Sequence, residues 1–112
     1  MRVTTTNDGL TAVITPYGEI DFDVLPRLVS AAGELPLSVT QVTWDLREAL
    51  FMDVAGLHLL IHQRLACTDA GRTLTVTGLR QQPLRLLQLA AELFPAGEWA
   101  DLLPDPLPTV AV

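Results

Sequence analysis

The sequence contains no lysine and a single cysteine, Cys67, among its 112 residues. One cysteine excludes a disulfide framework, and within an apolar segment it is typical of a small buried residue in a reducing compartment. The alternative, a reactive thiol, requires an electropositive and partly exposed setting, and only Arg64 lies close in sequence. We therefore interpret Cys67 as a core residue.

Long apolar runs and clustered basic residues are also missing. No segment approaches the roughly eighteen apolar residues of a membrane span, and Met1-Arg2-Val3-Thr4 lacks the apolar centre of a signal peptide. The formal net charge of -6 and the pI of about 4.6 leave no basic stripe for nucleic acid. We expect a cytoplasmic protein that neither inserts into a membrane nor binds nucleic acid. Its acidic surface favours a partner that carries positive charge.

The common signatures of catalysis are absent as well. There is no Ser-His-Asp or Cys-His arrangement, no Gly-x-Gly-x-x-Gly and no Walker loop. Asp21 and Asp53 could meet as paired carboxylates, but a reaction would also need a pocket. His58 and His62 have the i, i+4 spacing of paired metal ligands, yet no third ligand lies near them in sequence. We expect a protein that is not an enzyme and that holds neither a cofactor nor a metal.

What the chain does contain is a regular alternation of strand and helix patterns. Asn7-Asp8-Gly9 is a strong hairpin signal between two strands, predicted over residues 3–6 and 10–15. Two later segments, residues 41–46 and 73–77, also have strand patterns. The chain therefore starts with an antiparallel pair and continues with separate strands.

Three helices are predicted between and after these strands. The first is capped by Asp21 or Asp23, has Pro26 in its first turn and ends near Gly33. The second covers residues 54–70 and stops at a left-handed Gly71, and the third opens at Pro83. Strands that alternate with helices after an initial hairpin are typical of a mixed sheet with helices packed against it.

These elements predict an α/β fold in one domain, residues 1–103, with helices mainly on one face of a mixed sheet that begins as an antiparallel hairpin. A content of 49% hydrophobic residues over this length is enough for one core. Trp44 and Trp99 are interpreted as core anchors. The Pro-rich residues 104–112 are expected to form an extended tail.

A short turn, Phe51-Met52-Asp53-Val54-Ala55-Gly56-Leu57, leads into the second helix and contains no hydroxyl, thiol or lysine. Asp53 can accept hydrogen bonds from the N–H groups of the first helical turn, and its charge suits the positive end of the helix dipole. The same N–H groups could instead bind a phosphate or carboxylate if the turn is open to solvent. We interpret Asp53 as the N-cap and keep the anion site as an alternative.

This turn and the earlier segment Gly18-Glu19-Ile20-Asp21 resemble the STAS domain of bacterial anti-sigma factor antagonists. The resemblance extends from about residue 10 to residue 103 and includes a Leu-rich helix that closes on Glu92-Leu93-Phe94-Pro95. In that family the two variable positions of the turn are usually both serine, and the second is phosphorylated by a partner that is both kinase and anti-sigma factor. Here these positions are Val54 and Ala55.

The missing serine changes what the resemblance implies. Phosphorylation adds about 1.5 to 2 negative charges and new acceptor oxygens, and the methyl group of Ala55 can accept neither. No hydroxyl lies between residues 44 and 67, and Ser30, Thr43 and Thr68 belong to other elements. The resemblance therefore implies a form held in the unphosphorylated, binding-competent state, or a fold kept for another partner.

The expected partner surface continues along the second helix. At about 100° per residue, Ala55, His58 and His62 are predicted to project outward. The predicted inward stripe consists of Leu57, Leu60, Ile61 and Leu65. In the family this turn and helix face the anti-sigma factor, so the resemblance makes the outward strip the candidate interface. Whether its histidines make binding pH-sensitive stays open.

Asp21 is assigned to this interface only by the resemblance, which implies contacts with a partner or a nucleotide. The alternative is a purely structural turn, in which Gly18 supplies an unusual backbone angle and Asp21 a cap. The complete set of candidate partner-binding residues is Asp21, Asp53, Val54, Ala55, Gly56, His58 and His62.

Three functions fit these observations. The first is a non-enzymatic protein-interaction module that binds a serine-kinase type of anti-sigma factor and frees a sigma factor without a phosphorylation switch. The second is a STAS-like structural subunit of a larger assembly, such as a lipid-transporter ATPase complex. The third is a STAS domain that binds a small ligand or nucleotide. The sequence leaves the partner's identity and the formation of a homodimer open.

Overall fold

In the computed structural model, which describes residues 2–94, strands and helices alternate along most of the chain. The elements are β1 (Arg2–Asn7), β2 (Thr11–Tyr17), β3 (Glu19–Ile20), α1 (Leu25–Gly33), β4 (Gln41–Asp45), β5 (Phe51–Met52), α2 (Val54–Ala70), β6 (Thr73–Thr77) and α3 (Gln81–Leu93). The expected tail over residues 104–112, the domain end at residue 103 and the expectation for Trp99 lie outside the described residues.

The antiparallel start of the main sheet is built by the Asn7-Asp8-Gly9 turn, as predicted. Gly9 has a φ of 94°, in the left-handed region that glycine adopts without steric cost. The Asp8 carboxylate accepts hydrogen bonds from the N–H groups of Leu10 at 3.0 Å and Thr11 at 2.8 Å. This turn sets the register of the β1–β2 ladder, in which Asn7 lies opposite Ala12.

The main sheet has the strand order β1-β2-β4-β6, and its last three strands are parallel. Alternate residues of β2 and β4, including Ile14, Val42 and Trp44, are buried. Leu28 of α1, Leu59 of α2 and Leu87 of α3 belong to the same core cluster, so the helices pack against one face of the sheet. The α/β class, the mixed sheet and its antiparallel start are thereby confirmed.

The second helix has the predicted bounds, whereas the first is capped differently from the prediction. α2 covers Val54–Ala70 and ends at Gly71, whose φ is 70°. α1 begins at Leu25 with Val24 as its N-cap and without a side-chain cap. The prediction that Asp21 or Asp23 caps this helix is therefore wrong, because residues 22–24 form a separate turn before it.

The third helix and the short strands also differ from the predictions. α3 begins at Gln81, so Pro83 lies within the first turn, where its missing N–H breaks no helical hydrogen bond. β1 is one residue longer at each end than predicted, β2 starts one residue later and ends two residues later, and β3 and β5 are strands that the sequence did not predict. Among the helices in residues 2–94, none is both long and apolar enough to cross a membrane.

Candidate functional site

The turn before α2 is positioned by the two-residue strand pair. β3 and β5 run parallel, with Ile20 opposite Met52, and the N–H of Asp53 donates to the carbonyl of Ile20 at 3.2 Å. Asp21 and Asp53 are the next residues on these neighbouring strands. The pairing therefore brings together two segments that are 32 residues apart in sequence.

Asp53 is the N-cap of α2, as predicted. Its backbone is extended, and its Oδ1 accepts a hydrogen bond from the N–H of Ala55 at 2.7 Å. The N–H of Gly56 donates to the main-chain carbonyl of Asp53 at 2.9 Å. The side chain of Asp53 thus satisfies a helix-terminal N–H group and places a negative charge there. This arrangement disfavours the alternative of a bound phosphate or carboxylate.

Asp21 also accepts main-chain hydrogen bonds, in the turn that leads to α1, although it does not cap that helix. Its Oδ1 accepts hydrogen bonds from the N–H groups of Asp23 at 3.0 Å and Val24 at 3.2 Å. Gly18 has a φ of 99°, as expected for the unusual backbone angle of this segment. Because Asp21 and Asp53 each bind main-chain N–H groups of their own turn, both act as local acceptors.

Two residues of the motif lie in the interior. Ala55 and Gly56 are both buried, and a Cβ added to Gly56 would lie 2.6 Å from the Sδ atom of Met52. The glycine therefore lets the first turn of α2 approach the buried side chain at the end of β5. The prediction that Ala55 projects outward with His58 and His62 is wrong, because this position of α2 faces the core.

Gln82 holds the other side of the turn, and sequence reasoning missed it. Its Oε1 accepts from the N–H of Met52 at 2.9 Å, and its Nε2 donates to the carbonyl of the same residue at 2.9 Å. A side chain of α3 thus pairs with β5 as a neighbouring strand would. No local pattern indicates a contact between residues thirty positions apart.

The outer face of α2 carries more apolar surface than predicted. His58 and His62 are exposed, as expected, but Ile61 and Leu65 are exposed as well, whereas the sequence placed them on the inward stripe. The residues of α2 that are buried are Ala55, Gly56, Leu59, Leu60, Gln63 and Cys67. Because both faces of this helix contain apolar residues, periodicity alone places Ile61 and Leu65 on the wrong face.

Beside this face, the ring of Phe22 lies 5.5 Å from the ring of His58 and tilted by 54°. Phe22 precedes α1 and is exposed, like Val54 at the start of α2. The Nδ1 atom of His62 lies 3.2 Å from Nε2 of Gln63, whose Oε1 accepts a hydrogen bond from the buried indole of Trp44 at 3.3 Å. The prediction that Trp44 is a core anchor is confirmed.

Neither the metal nor the thiol alternative gains support from the geometry. Within residues 2–94, no group of three or more His, Cys, Asp or Glu side chains is arranged to hold a metal. Cys67 is buried; burial raises the pKa of its thiol, and the nearby charge of Arg72 lowers it only in part. A thiol that is protonated and enclosed is a poor nucleophile, which agrees with a structural role.

The cavities beside this site are small or open. One of about 150 Å³ lies between α1 and α2, with Val42, Gln63 and Cys67 in its lining. Sites for drug-sized ligands usually enclose roughly 300–1,000 Å³. Another, of about 440 Å³, is lined mostly by polar side chains at the start of α3, namely Gln81, Gln82, Arg85 and Gln88, together with Leu84.

Comparisons with known proteins agree with this fold. A family model described as "Mlab, STAS domain" matches residues 3–91. The structure of the anti-sigma factor antagonist SpoIIAA in its unphosphorylated form is similar over 99% of this chain and 88% of that chain, with 15% identity and a TM-score of 0.71. No curated protein sequence matches.

Two further structures share the fold. The STAS domain of an anti-sigma factor antagonist from Rhodobacter sphaeroides is similar over 69% of this chain and 85% of that chain, with 17% identity and a TM-score of 0.56. The crystal structure of Mglu is similar over 70% of this chain but only 20% of that chain, with 16% identity and a TM-score of 0.63. The family match covers most of the sequence and all or nearly all of each element described above, and the chain therefore belongs to the STAS domain family of the Mlab type.

Proposed function

We propose that this STAS domain is a non-enzymatic protein-interaction module that binds an anti-sigma factor of the serine-kinase type. Its partner contacts the turn between β5 and α2 and the adjoining helix face, and no phosphorylation of this turn switches binding off. Similarity in fold to anti-sigma factor antagonists supports this role, and the acidic net charge of -6 favours a partner with a positively charged surface.

The proposal rests on a turn that contains the Asp and Gly of the motif but no hydroxyl group that could be phosphorylated. Asp53 caps the helix and Gly56 packs against Met52, so the geometry of the turn is complete. Val54 and Ala55 occupy the two variable positions, and neither side chain can be phosphorylated. A module of this kind stays competent for binding whenever it is present, so its concentration sets the response.

The burial of Ala55 refines which candidate residues touch the partner. Val54 and His58 are exposed and can make direct contact, as can His62. Ala55 and Gly56 act from the interior by shaping the turn. Asp21 and Asp53 are half-buried and contribute negative charge at the edge of the surface.

The test measures binding to each kinase-type anti-sigma factor encoded in the same genome, purified with ATP or with a non-hydrolysable analogue. We expect one of them to bind with the same affinity under both conditions and to leave the native chain unphosphorylated. Val54→Ser places a hydroxyl at the exposed variable position, where it is expected to take up phosphate and then to weaken binding; Val54→Ala, which has no hydroxyl, serves as the control. Phosphate on the native chain, or no binding by any of these factors, would contradict the proposal.

A second candidate is a structural subunit of a larger assembly, such as a lipid-transporter ATPase complex. The exposed apolar residues on α2 favour this alternative, because a permanent assembly would keep them covered. Co-expression with neighbouring permease and ATPase genes would then yield a stable complex of fixed stoichiometry. If the chain elutes alone from such a co-expression, this candidate fails.

A further inference from the structure

Four residues form a continuous seam along the outer face of α2, and we call this set the outer seam: Val54, His58, Ile61 and Leu65. Their spacing of four, three and four residues places them within about 60° of one another around the helix axis. Val54, Ile61 and Leu65 are 53%, 40% and 63% exposed. The seam runs for about 16 Å, or three helical turns.

The outer seam is separate from the packing that holds α2 in the fold. The buried residues of α2, among them Leu59, Leu60 and Cys67, lie on the opposite side of the helix. Single exposed apolar residues are common on protein surfaces, but an aligned set of them marks an interaction site. A helix that is apolar on both faces is expected where a second element covers the outer one.

The seam is continuous with the site proposed above. Val54 belongs to the turn itself, and His58 contacts the exposed ring of Phe22. Phe51, in the strand before the turn, is exposed as well. These aromatic rings widen the apolar surface at the N-terminal end of α2. In protein interfaces, a few large side chains of this kind contribute most of the binding free energy.

Charge restricts what can cover this surface. Carboxylates lie near both ends of the helix. Asp53 caps its start, Glu19 and Asp21 lie in and just after the strand that pairs with β5, and Asp69 is in the last turn of α2. A second copy of the chain, itself carrying a net charge of -6, would bring such carboxylates together in a symmetric dimer. A partner with Lys or Arg at the matching positions would compensate them.

We propose that the outer seam is the docking surface for an amphipathic helix of a heterologous protein partner. The 4-3-4 spacing is the pattern by which one helix packs its apolar side chains between those of another. The partner helix carries aliphatic residues along its centre and basic residues opposite the carboxylates at the two ends. This inference rests on the proposed function only in assuming that a protein partner binds at this face.

The test places a photo-crosslinking amino acid at position 54, 61 or 65 of the full chain in its native cells. Positions 4 and 75, exposed on β1 and β6, are the controls. We expect positions 54, 61 and 65 to crosslink one and the same protein, and mass spectrometry to locate the crosslinks in a segment with helical apolar spacing and Lys or Arg. The controls should not crosslink it.

Affinity for the crosslinked partner then gives a quantitative check. Ile61→Ser combined with Leu65→Ser should weaken binding about tenfold or more, because two of the three apolar contacts of the outer seam are lost. Leu37→Ser changes a residue that is 98% exposed in the loop between α1 and β4, and should leave affinity unchanged. Circular dichroism should show native folding for all three chains, since the altered residues are exposed.

The outcomes separate this inference from the proposed function. The inference that a heterologous helix docks on the outer seam would be overturned by crosslinks from position 54 alone. Crosslinks from positions 61 and 65 to another copy of this chain would also overturn it. An unchanged affinity in the double variant would also overturn it. If the seam crosslinks a helix of a protein that is not an anti-sigma factor, the seam is supported and the proposed function fails.

Discussion

Individual residues around Asp53 determine the shape of the turn that precedes α2. Asp53 fixes the helix start through a hydrogen bond from the N–H of Ala55, and Gly56 admits the buried side chain of Met52. These contacts give Asp53 and Gly56 structural roles in the turn, and neither contact needs a hydroxyl group at the two variable positions.

Replacing Gly56 by alanine should destabilise the fold, even though alanine favours helices by about 1 kcal/mol. The new Cβ would lie 2.6 Å from Sδ and 2.9 Å from Cγ of Met52, so the strand or the helix must shift. We expect a net loss of roughly 1–3 kcal/mol in the free energy of unfolding, measured by urea denaturation.

Gly33→Ala is the matched control for this substitution. Gly33 ends α1, and an added Cβ there would meet no atom within 4 Å. Alanine at this position should be neutral or stabilise by up to about 1 kcal/mol. Equal effects of the two substitutions would refute the close approach between Gly56 and Met52.

At the scale of elements, the site depends on β5, a strand of only two residues. It is held by β3 on one side and by the side-chain amide of Gln82 on the other. The two hydrogen bonds between Gln82 and Met52 connect α3 with β5, the strand that leads into α2. The position of the turn is therefore determined jointly by elements that are distant in sequence.

Gln82→Ala should loosen this turn while the main sheet stays intact. Two hydrogen bonds are lost, each contributing roughly 0.5–1.5 kcal/mol. Hydrogen exchange at the amides of residues 51–57 should become faster than in the native chain, and exchange in β2 and β4 should be less affected. Gln82→Glu keeps the acceptor for the N–H of Met52 but cannot donate, so an intermediate effect is expected. Unchanged exchange in both variants would show that α3 does not hold β5.

At the scale of the whole molecule, the loop after β4 connects several elements at one edge of the sheet. The N–H of Leu46 donates to the main-chain carbonyl of Thr77 in β6 at 2.8 Å, and Nε of Arg80 donates to the carbonyl of Arg47 at 2.9 Å. Asp45, which is buried, forms an ion pair with Arg47 at 2.6 Å. A Cβ at Gly78 would lie 2.9 Å from Asp45 Oδ1, so the loop and the end of β6 are closely packed.

This ion pair is expected to make the free energy of unfolding depend on pH in the acidic range. Burial alone raises the pKa of Asp45, but hydrogen bonds from the side chain and main chain of Arg47, together with its charge, outweigh it and lower the pKa. A carboxyl whose pKa falls on folding stabilises the native state above its unfolded pKa of about 3.9. That contribution is lost as the pH falls through the lower folded value.

We therefore expect Asp45→Asn to be less stable than the native chain at pH 7, with a gap that narrows as the pH falls below about 4. Urea denaturation from pH 7 to 2.5 measures this gap. Arg47→Gln and the double variant complete a thermodynamic cycle, and the interaction between the two side chains should shrink over the same range. A gap that is constant with pH would contradict the role of this pair.

Features that depend on neighbouring residues were predictable from the sequence. The Asn7-Asp8-Gly9 hairpin, the cap at Asp53 and the left-handed stop at Gly71 each involve hydrogen bonds or backbone angles within a few positions. For this reason the bounds of α2 and β6 agree with their predictions. The absence of a hydroxyl group from the turn is likewise a property of the sequence alone.

Tertiary structure decided which way the residues of this helix face and what supports the turn. α2 has apolar residues on both sides, so a helical period fits either face, and only packing against the sheet buries Ala55 and exposes Ile61 and Leu65. The β3–β5 pair and the contact of Gln82 with Met52 join segments about thirty residues apart. Such contacts form because the chain folds back on itself, and no local pattern encodes them.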